Sequence, residues 1–218
     1  MLIKSKYQAS YRREMLKFIT NNPETVLEIG CREGLFIGVL KENYNITDSW
    51  GVEPDETVTE QAKKNIDNVI CDFFTKETKI PENHFDLIVF NDVLEHVYDP
   101  WEMLIKTKSL LKKNGIVIAS IPNINNKRVL KKLILNDDFT YKRAGILDVT
   151  HIRFFTKKTI QRLFIDTGYE IIKINDIKTR KKKVKYKILN FLTQGRYTAL
   201  KVSQYGVTAK VKLFLSEP

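Results

Sequence analysis

The sequence predicts an α/β protein built on a doubly wound, largely parallel sheet. Three observations carry that expectation. From Thr25 to Ile121, short apolar runs of strand length alternate with segments of helical period. Runs such as Leu87-Ile88-Val89-Phe90 are apolar on both faces, as a central parallel strand requires. The first run, Val26-Leu27-Glu28-Ile29, leads into Gly30-Cys31-Arg32-Glu33-Gly34, after which an amphipathic segment begins at once.

The elements follow in order. Tyr7 to Ile19 reads as an amphipathic helix, so residues 1–20 are expected to form a covering helix. Thr25–Ile29, Ser49–Val52, Asn68–Cys71, Phe85–Phe90 and Gly115–Ile121 read as strands. Leu35–Glu42, Glu56–Asn65 and Pro100–Lys112 read as helices between them. Asp99-Pro100 suits a helix opening, because proline is tolerated at the first helical position. After the fifth strand the rhythm breaks. Residues 122–153 form a long connection with a basic helix around Lys127–Leu135, and connections of that length usually carry function. Thr156 then opens a helix that ends near Thr167-Gly168. Tyr169–Asn175 and Tyr205–Leu213 read as two further strands. The chain of 218 residues is thus expected to be one domain, with a basic amphipathic insertion at 178–202 before the last strand.

Composition excludes several classes. No apolar run approaches the ~20 residues of a membrane span. The N-terminus lacks the apolar core of a signal peptide, and the two cysteines, Cys31 and Cys71, form no paired framework; both point to a reducing cytoplasm. The net charge is +11, yet from Lys178 onward eleven Lys or Arg face a single acid, Glu217, so the first 177 residues are close to neutral. The basic C-terminal segment carries Ile188, Leu189, Phe191 and Leu192 among its cations. A solvated face, an anionic membrane surface and nucleic acid all fit such a pattern. Peripheral membrane contact through 178–202 is the expected partner surface. Nucleic acid is not favoured; an RNA-binding chain is expected to set stacking aromatics amid its cations or to carry an appended RNA-binding module.

In an open parallel sheet, ligands bind at the carboxyl ends of the strands. The first strand ends in Glu28 and the glycine turn, whose helix start offers N–H groups to an anion. The second ends in Glu53-Pro54, and a carboxylate there suits a pair of ribose hydroxyls. The third ends in Asp72-Phe73, an acid and an aromatic that suit an adenine. The fourth ends in Asn91-Asp92-Val93. The spacing G-x-G-x-x-G of a nicotinamide site is absent, as is a P-loop.

Residues 24–176 resemble the class I S-adenosylmethionine-dependent methyltransferases, whose sheet is Rossmann-like with a C-terminal antiparallel hairpin and helices on both faces. The likeness rests on Leu27-Glu28-Ile29-Gly30-Cys31-Arg32-Glu33-Gly34, Glu53, Asp72, Phe85-Asp86-Leu87-Ile88, Leu94-Glu95-His96-Val97 with Asp99-Pro100, and Leu110-Leu111-Lys112-Lys113-Asn114-Gly115. The resemblance implies S-adenosylmethionine as cofactor. It implies that Glu28, Gly30, Cys31, Arg32, Gly34 and Phe36 hold the methionine end, that Glu53 and Pro54 take the ribose, and that Asp72 and Phe73 take the adenine. Asn91, Asp92 and Val93 would lie near the amino group and sulfonium. The family usually has glycine where this chain has Arg32. That guanidinium either crowds the cofactor or pairs with its carboxylate.

Together with Asp148-Val149-Thr150-His151-Ile152-Arg153-Phe154-Phe155-Thr156, the Leu94–Val97 segment is similar to small-molecule and sugar O-methyltransferases. Removing a proton from a hydroxyl suits histidine, whose pKa lies near neutrality. Of the three histidines, His84 falls in a surface turn, while His151 and His96 are the candidate bases. Asp92, Glu95 and His96 share one face if their segment is helical. Ubiquinone O-methyltransferases carry a similar run that binds a divalent ion, so a metal at these three is a further candidate, though none is favoured. The expected acceptor is a hydroxyl of a sugar or nucleotide-sugar in surface polysaccharide synthesis, met by Asn125, Asn126, Arg128, Lys131, Tyr141, Lys142, Arg143 and Asp148 in the insertion. The alternatives are a quinone or other small molecule, or a relative that binds the cofactor without turnover.

Overall fold

The computed structural model describes residues 11–178 and 196–212. Its centre is a seven-stranded sheet of β1 (Thr25–Ile29), β2 (Asp48–Val52), β3 (Asn68–Ile70), β4 (Phe85–Asn91), β5 (Leu111–Pro122), β6 (Tyr169–Asp176) and β7 (Gln204–Val211). The strand order is β3-β2-β1-β4-β5-β7-β6. All neighbours pair parallel except β7, which is antiparallel to both β5 and β6. The predicted sheet and hairpin are therefore present. The chain winds outward from β1 to β3, then crosses back to lay β4 on the other side of β1. That reversal opens a crevice between the carboxyl ends of β1 and β4.

Alternation along each strand splits the core into two layers. Val26, Leu87, Val89, Ile116 and Ile118 pack with Phe36, Ile37 and Leu40 of α1 (Leu35–Asn43). Leu27, Ile29, Ile88, Phe90 and Val117 pack with Leu104 of α3 (Pro100–Leu110) and Ile160 and Leu163 of α5 (Lys157–Asp166). α2 (Glu56–Ala62) and α4 (Lys127–Asn136) complete the main helices. Capping follows the sequence: Asp99 accepts from Glu102 N–H, Asp55 from Thr57 N–H, and Thr156 forms a reciprocal box with Thr159.

Four expectations need correction. The N-terminal helix over 7–19 is a single 3-10 segment, Arg13–Phe18; residues 7–10 lie outside the described ones. Arg12 sits in the left-handed region (φ 47°), which interrupts any longer helix, and Met15 and Phe18 align one turn apart at the 3-10 repeat of three. The tip of the Phe18 ring then meets Gly206 of β7, where a Cβ would come within 2.2 Å of it. α3 stops at Leu110 and β5 starts at Leu111, because Leu111 is already extended and pairs with Phe85. Residues 63–65 turn rather than continue α2, and Cys71 lies beyond β3. Lastly, residues 92–96 form no helix. Asp92 has φ 57° and a tight turn covers Leu94–His96, so Asp92, Glu95 and His96 do not share a helical face. Most of the basic 178–202 segment falls outside the described residues; its far end is the short helix Arg196–Ala199.

Candidate functional site

A cavity of about 380 Å³ fills the crevice between the tips of β1 and β4. Its floor is the glycine turn. Gly30 has φ +70°, and a Cβ there would stand 2.6 Å from Cγ2 of Val93. Only glycine satisfies both the backbone angle and the close approach. Gly30 N–H and Cys31 N–H both donate to the Val52 carbonyl, which ties the turn to β2. The thiol of Cys31 is held protonated by burial and by the Glu28 and Glu53 carboxylates.

Glu28 and Asn91 face each other across the switch point. Asn91 donates to Oε1 of Glu28 at 3.0 Å. Oε2 of Glu28 and Oδ1 of Asn91 are buried acceptors with no hydrogen-bond partner. Burial raises the Glu28 carboxyl to about 8, opposed by the Asn91 bond and the Arg12 guanidinium. Two buried lone-pair sites aimed into a crevice are suited to a ligand that brings donors.

Asp92, on the same tip, is already engaged. Arg12 Nη1 lies 3.1 Å from its Oδ2, Ser120 donates to Oδ1 at 3.0 Å, and Gln204 donates to Oδ1 as well. Arg12, Ser120 and Gln204 were not foreseen. They come from the N-terminal segment, β5 and β7, and nothing in their local sequence places them together.

The opposite wall belongs to the 122–153 connection. Ile152 N–H and Arg153 N–H both donate to the Glu95 carbonyl at 3.0 Å, and the Arg153 guanidinium stacks over Tyr98 and Trp101. These contacts clamp His151 beside Glu95 and His96. Nδ1 of His151 lies 3.0 Å from the Ile146 carbonyl and Nδ1 of His96 lies 3.2 Å from the Thr150 carbonyl. A carbonyl can only accept, so in the neutral rings the proton sits on Nδ1 and Nε2 keeps its lone pair. Burial and the neighbouring His151 hold His96 in that neutral form. The two rings meet edge to face at 4.7 Å. Glu95 is 1% exposed, neither carboxylate oxygen has a hydrogen bond, and Oε1 lies 4.0 Å from Nε2 of His151. Burial and Asp92 drive its carboxyl well above the usual range. One ligand atom from each of Glu95, His96 and His151 falls within 4.8 Å of the others.

Of the sequence candidates, the cavity wall therefore collects Glu28, Gly30, Cys31, Arg32, Phe36, Asn91, Asp92, Glu95, His96 and His151. Gly34, Glu53, Pro54, Asp72, Phe73 and Val93 lie off it. Val93 supports Gly30 from below, and Gly34 opens α1. Glu53 is buried and holds the glycine turn itself: Oε2 accepts from Arg32 N–H and Oε1 from Asp55 N–H, both at 3.0 Å. Asp72 and Phe73 stand exposed beyond β3. The Arg32 guanidinium runs toward carboxylates, 3.9 Å from Glu33 and 3.7 Å from Asp55. In the insertion, Asn126 caps α4 and donates to the Val202 carbonyl, while Arg128, Lys131, Tyr141, Lys142 and Arg143 point to solvent. The part that reaches the cavity is Ala144–Ile146 with Asp148 and His151.

The chain's sequence matches the family model described as a methyltransferase domain over residues 3–174. It is 27% identical over 150 residues to a ubiquinone biosynthesis O-methyltransferase of Rickettsia canadensis, covering 67% of this chain and 62% of that protein. A ubiquinone biosynthesis O-methyltransferase of Actinobacillus pleuropneumoniae is 31% identical over 118 residues, half of this chain and 49% of its own. The chain thus spans about half to three-fifths of these relatives' length. Among solved structures, a SAM-dependent methyltransferase from Archaeoglobus fulgidus superposes with a TM-score of 0.64 at 18% identity, over 94% of this chain and 96% of that one. One from Thermotoga maritima gives 0.61 at 20% identity, over 93% and 90%. A family model that spans most of the sequence, on a sheet of this order with its crevice at the β1–β4 switch point, shows that the chain belongs to the class I S-adenosylmethionine-dependent methyltransferases.

Proposed function

We propose that this chain is an O-methyltransferase whose acceptor is the hydroxyl of a small phenol or quinol. The observation that carries the reading is His151. His151 lines the cavity whose floor is the Gly30 turn, its Nδ1–H is anchored on the Ile146 carbonyl, and its Nε2 keeps a lone pair. A base in that form accepts a proton from a hydroxyl delivered to the same space.

The residues fit the family's cofactor. Oε2 of Glu28 and Oδ1 of Asn91, buried without partners, suit the ammonium of its methionine end. The Gly30 turn, seated on Val93 where a Cβ would clash, lines the cavity with bare backbone. Glu53 keeps lone pairs beyond the two N–H bonds it accepts and would take the ribose, with Asp72 and Phe73 at the adenine. When bound, S-adenosylmethionine supplies an electrophilic methyl group on a sulfonium. His151 takes the acceptor proton, and His96 packs edge to face to fix its ring. The 144–151 segment shields that space from water.

The phenol or quinol class draws its support from the relatives, which are named for ubiquinone biosynthesis. The sugar acceptor expected from the sequence has no counterpart among them. The polar side chains that suggested it mostly point to solvent.

A second reading rests on the same trio. Glu95, His96 and His151 offer a carboxylate and two imidazoles with second nitrogens already tied to carbonyls, a donor set that suits a divalent transition ion. Such an ion would acidify a bound hydroxyl. The spacing-based set with Asp92 gives way to one with His151, because Asp92 is held by Arg12, Ser120 and Gln204.

Purified protein given S-adenosylmethionine and a panel of catechols, prenylated phenols and nucleotide-sugars tests the reading. Methylation of a phenolic oxygen is expected. Methylation of a sugar alone would overturn the acceptor class. Tight cofactor binding with no transfer to any acceptor would leave a binding protein.

A further inference from the structure

We propose that α4 and the loop after it form a docking surface for an anionic lipid bilayer. α4 has two faces. Val129, Leu130, Leu133 and Ile134 fall on one side, while Lys127, Arg128, Lys131 and Lys132 fall on the other; the helix itself holds no acid, and Asp138 just past its end pairs with Lys132. The apolar stripe outruns its support. At the N-terminal end Val129 is buried and Leu130 half-buried against the body of the protein. One turn on, the same stripe is bare: Leu133 is 40% exposed and Ile134 74%. Beyond the helix, Phe139 and Tyr141 extend the apolar surface as a half-exposed cluster with Phe154. Lys142 and Arg143 then follow in solvent.

A stripe that continues past the protein that buries it is written for another apolar surface. The charge selects among possible occupants. A helix with cations along its polar face and aliphatics on the other lies in a bilayer interface, its apolar face among acyl chains and its lysines at anionic headgroups. The surroundings reinforce the sign. The Lys127 N–H bonds the Leu200 carbonyl, so the described far end of the basic C-terminal segment meets this side of the molecule. No helix among the described residues is long and apolar enough to cross a membrane, so the contact is peripheral. The arm continues into Ala144–Ile146, which lines the cavity, so a docked bilayer lies beside the route for a lipophilic acceptor. That last link rests on the phenol reading above; the docking does not.

The test is co-sedimentation of the full chain with vesicles of phosphatidylcholine plus phosphatidylglycerol, and with phosphatidylcholine alone. Binding to the first only, weakened by salt, is expected. The double variants Leu133→Asp/Ile134→Asp and Lys127→Glu/Lys131→Glu should each lower partitioning by about tenfold or more, with unchanged circular dichroism and cofactor affinity. A variant with Lys181, Lys182, Lys183 and Lys185 replaced by glutamine separates the tail's share. Failure of the wild-type chain to bind, equal binding to neutral vesicles, or loss confined to the tail variant would each overturn the proposal. So would a dimer that dissociates in Leu133→Asp/Ile134→Asp, or preferential capture of RNA by α4. Methyl transfer to a water-soluble catechol, measured on the same variants, keeps the two readings apart: vesicle binding without any transfer faults the function alone.

Discussion

Asn91 donates to one oxygen of Glu28 at 3.0 Å and leaves the other oxygen, like its own carbonyl, without a partner at the switch point of the sheet. This pairing joins two strands that are 63 residues apart in sequence. It also makes Glu28 a pH-sensitive group. Its carboxyl is raised to about 8 by burial, so the folded state binds the proton more tightly than the unfolded chain. Stability from this group is full below the unfolded value of 4.5 and falls as pH rises toward 8. Glu28→Gln should flatten that decline, by up to a few kcal/mol at about 1.4 kcal/mol per pK unit. Urea denaturation of the cofactor-free protein from pH 5 to pH 8 measures it; an unchanged slope would remove Glu28 as its source.

Glu53 carries two loads. It accepts the N–H groups of Arg32 and Asp55, so its loss frees the glycine turn as well as any ribose contact. Glu53→Ala should weaken S-adenosylmethionine by ~1–3 kcal/mol and lower Tm together. Titration calorimetry and thermal melts on one sample check both. A fall in Tm with unchanged affinity would confine Glu53 to holding the turn.

His151→Ala should lower kcat by about 10²–10⁴ while cofactor affinity holds within about twofold, as expected for a general base. Single-turnover assays with the preferred phenol provide the measure. Full activity would eliminate His151.

The metal reading separates cleanly. If Glu95, His96 and His151 hold an ion, chelation abolishes transfer, added metal restores it, and His96→Ala loses bound metal by elemental analysis. If His151 acts as a base alone, chelator leaves the rate unchanged.

Gly30→Ala meets a backbone at φ +70° and a Val93 methyl at 2.6 Å. The combined strain and overlap should cost ~2–4 kcal/mol. In a Val93→Ala background only the backbone part remains, about 1–2 kcal/mol. A double-mutant cycle in urea reads the difference, and additive effects would show that Val93 is not the obstruction.

The periodicity of the sequence was enough for the alternating elements, the tip residues Glu28 and Asn91, and the turn at Gly30; the antiparallel C-terminal pair was implied by the family resemblance. It failed where the backbone takes positive φ. Arg12 and Asp92 both do: the first cuts short the helix read over 7–19, and the second removes the helical face that would have joined Asp92, Glu95 and His96. It also missed every partner supplied from a distant element: Arg12 and Gln204 on Asp92, and Phe18 on Gly206.

What the sequence determined by itself is the order of strands and helices and which residues stand at strand tips. Hydrophobic period and turn chemistry are local, and a strand's tip follows from its length. Only the tertiary structure decided how those tips are used. It assigned Glu53 to the backbone of the glycine turn, closed Asp92 with an arginine from before the sheet, and set His151 against Glu95 across 56 residues. Long-range pairing depends on where side chains point once the sheet is wound, and no local pattern encodes that direction.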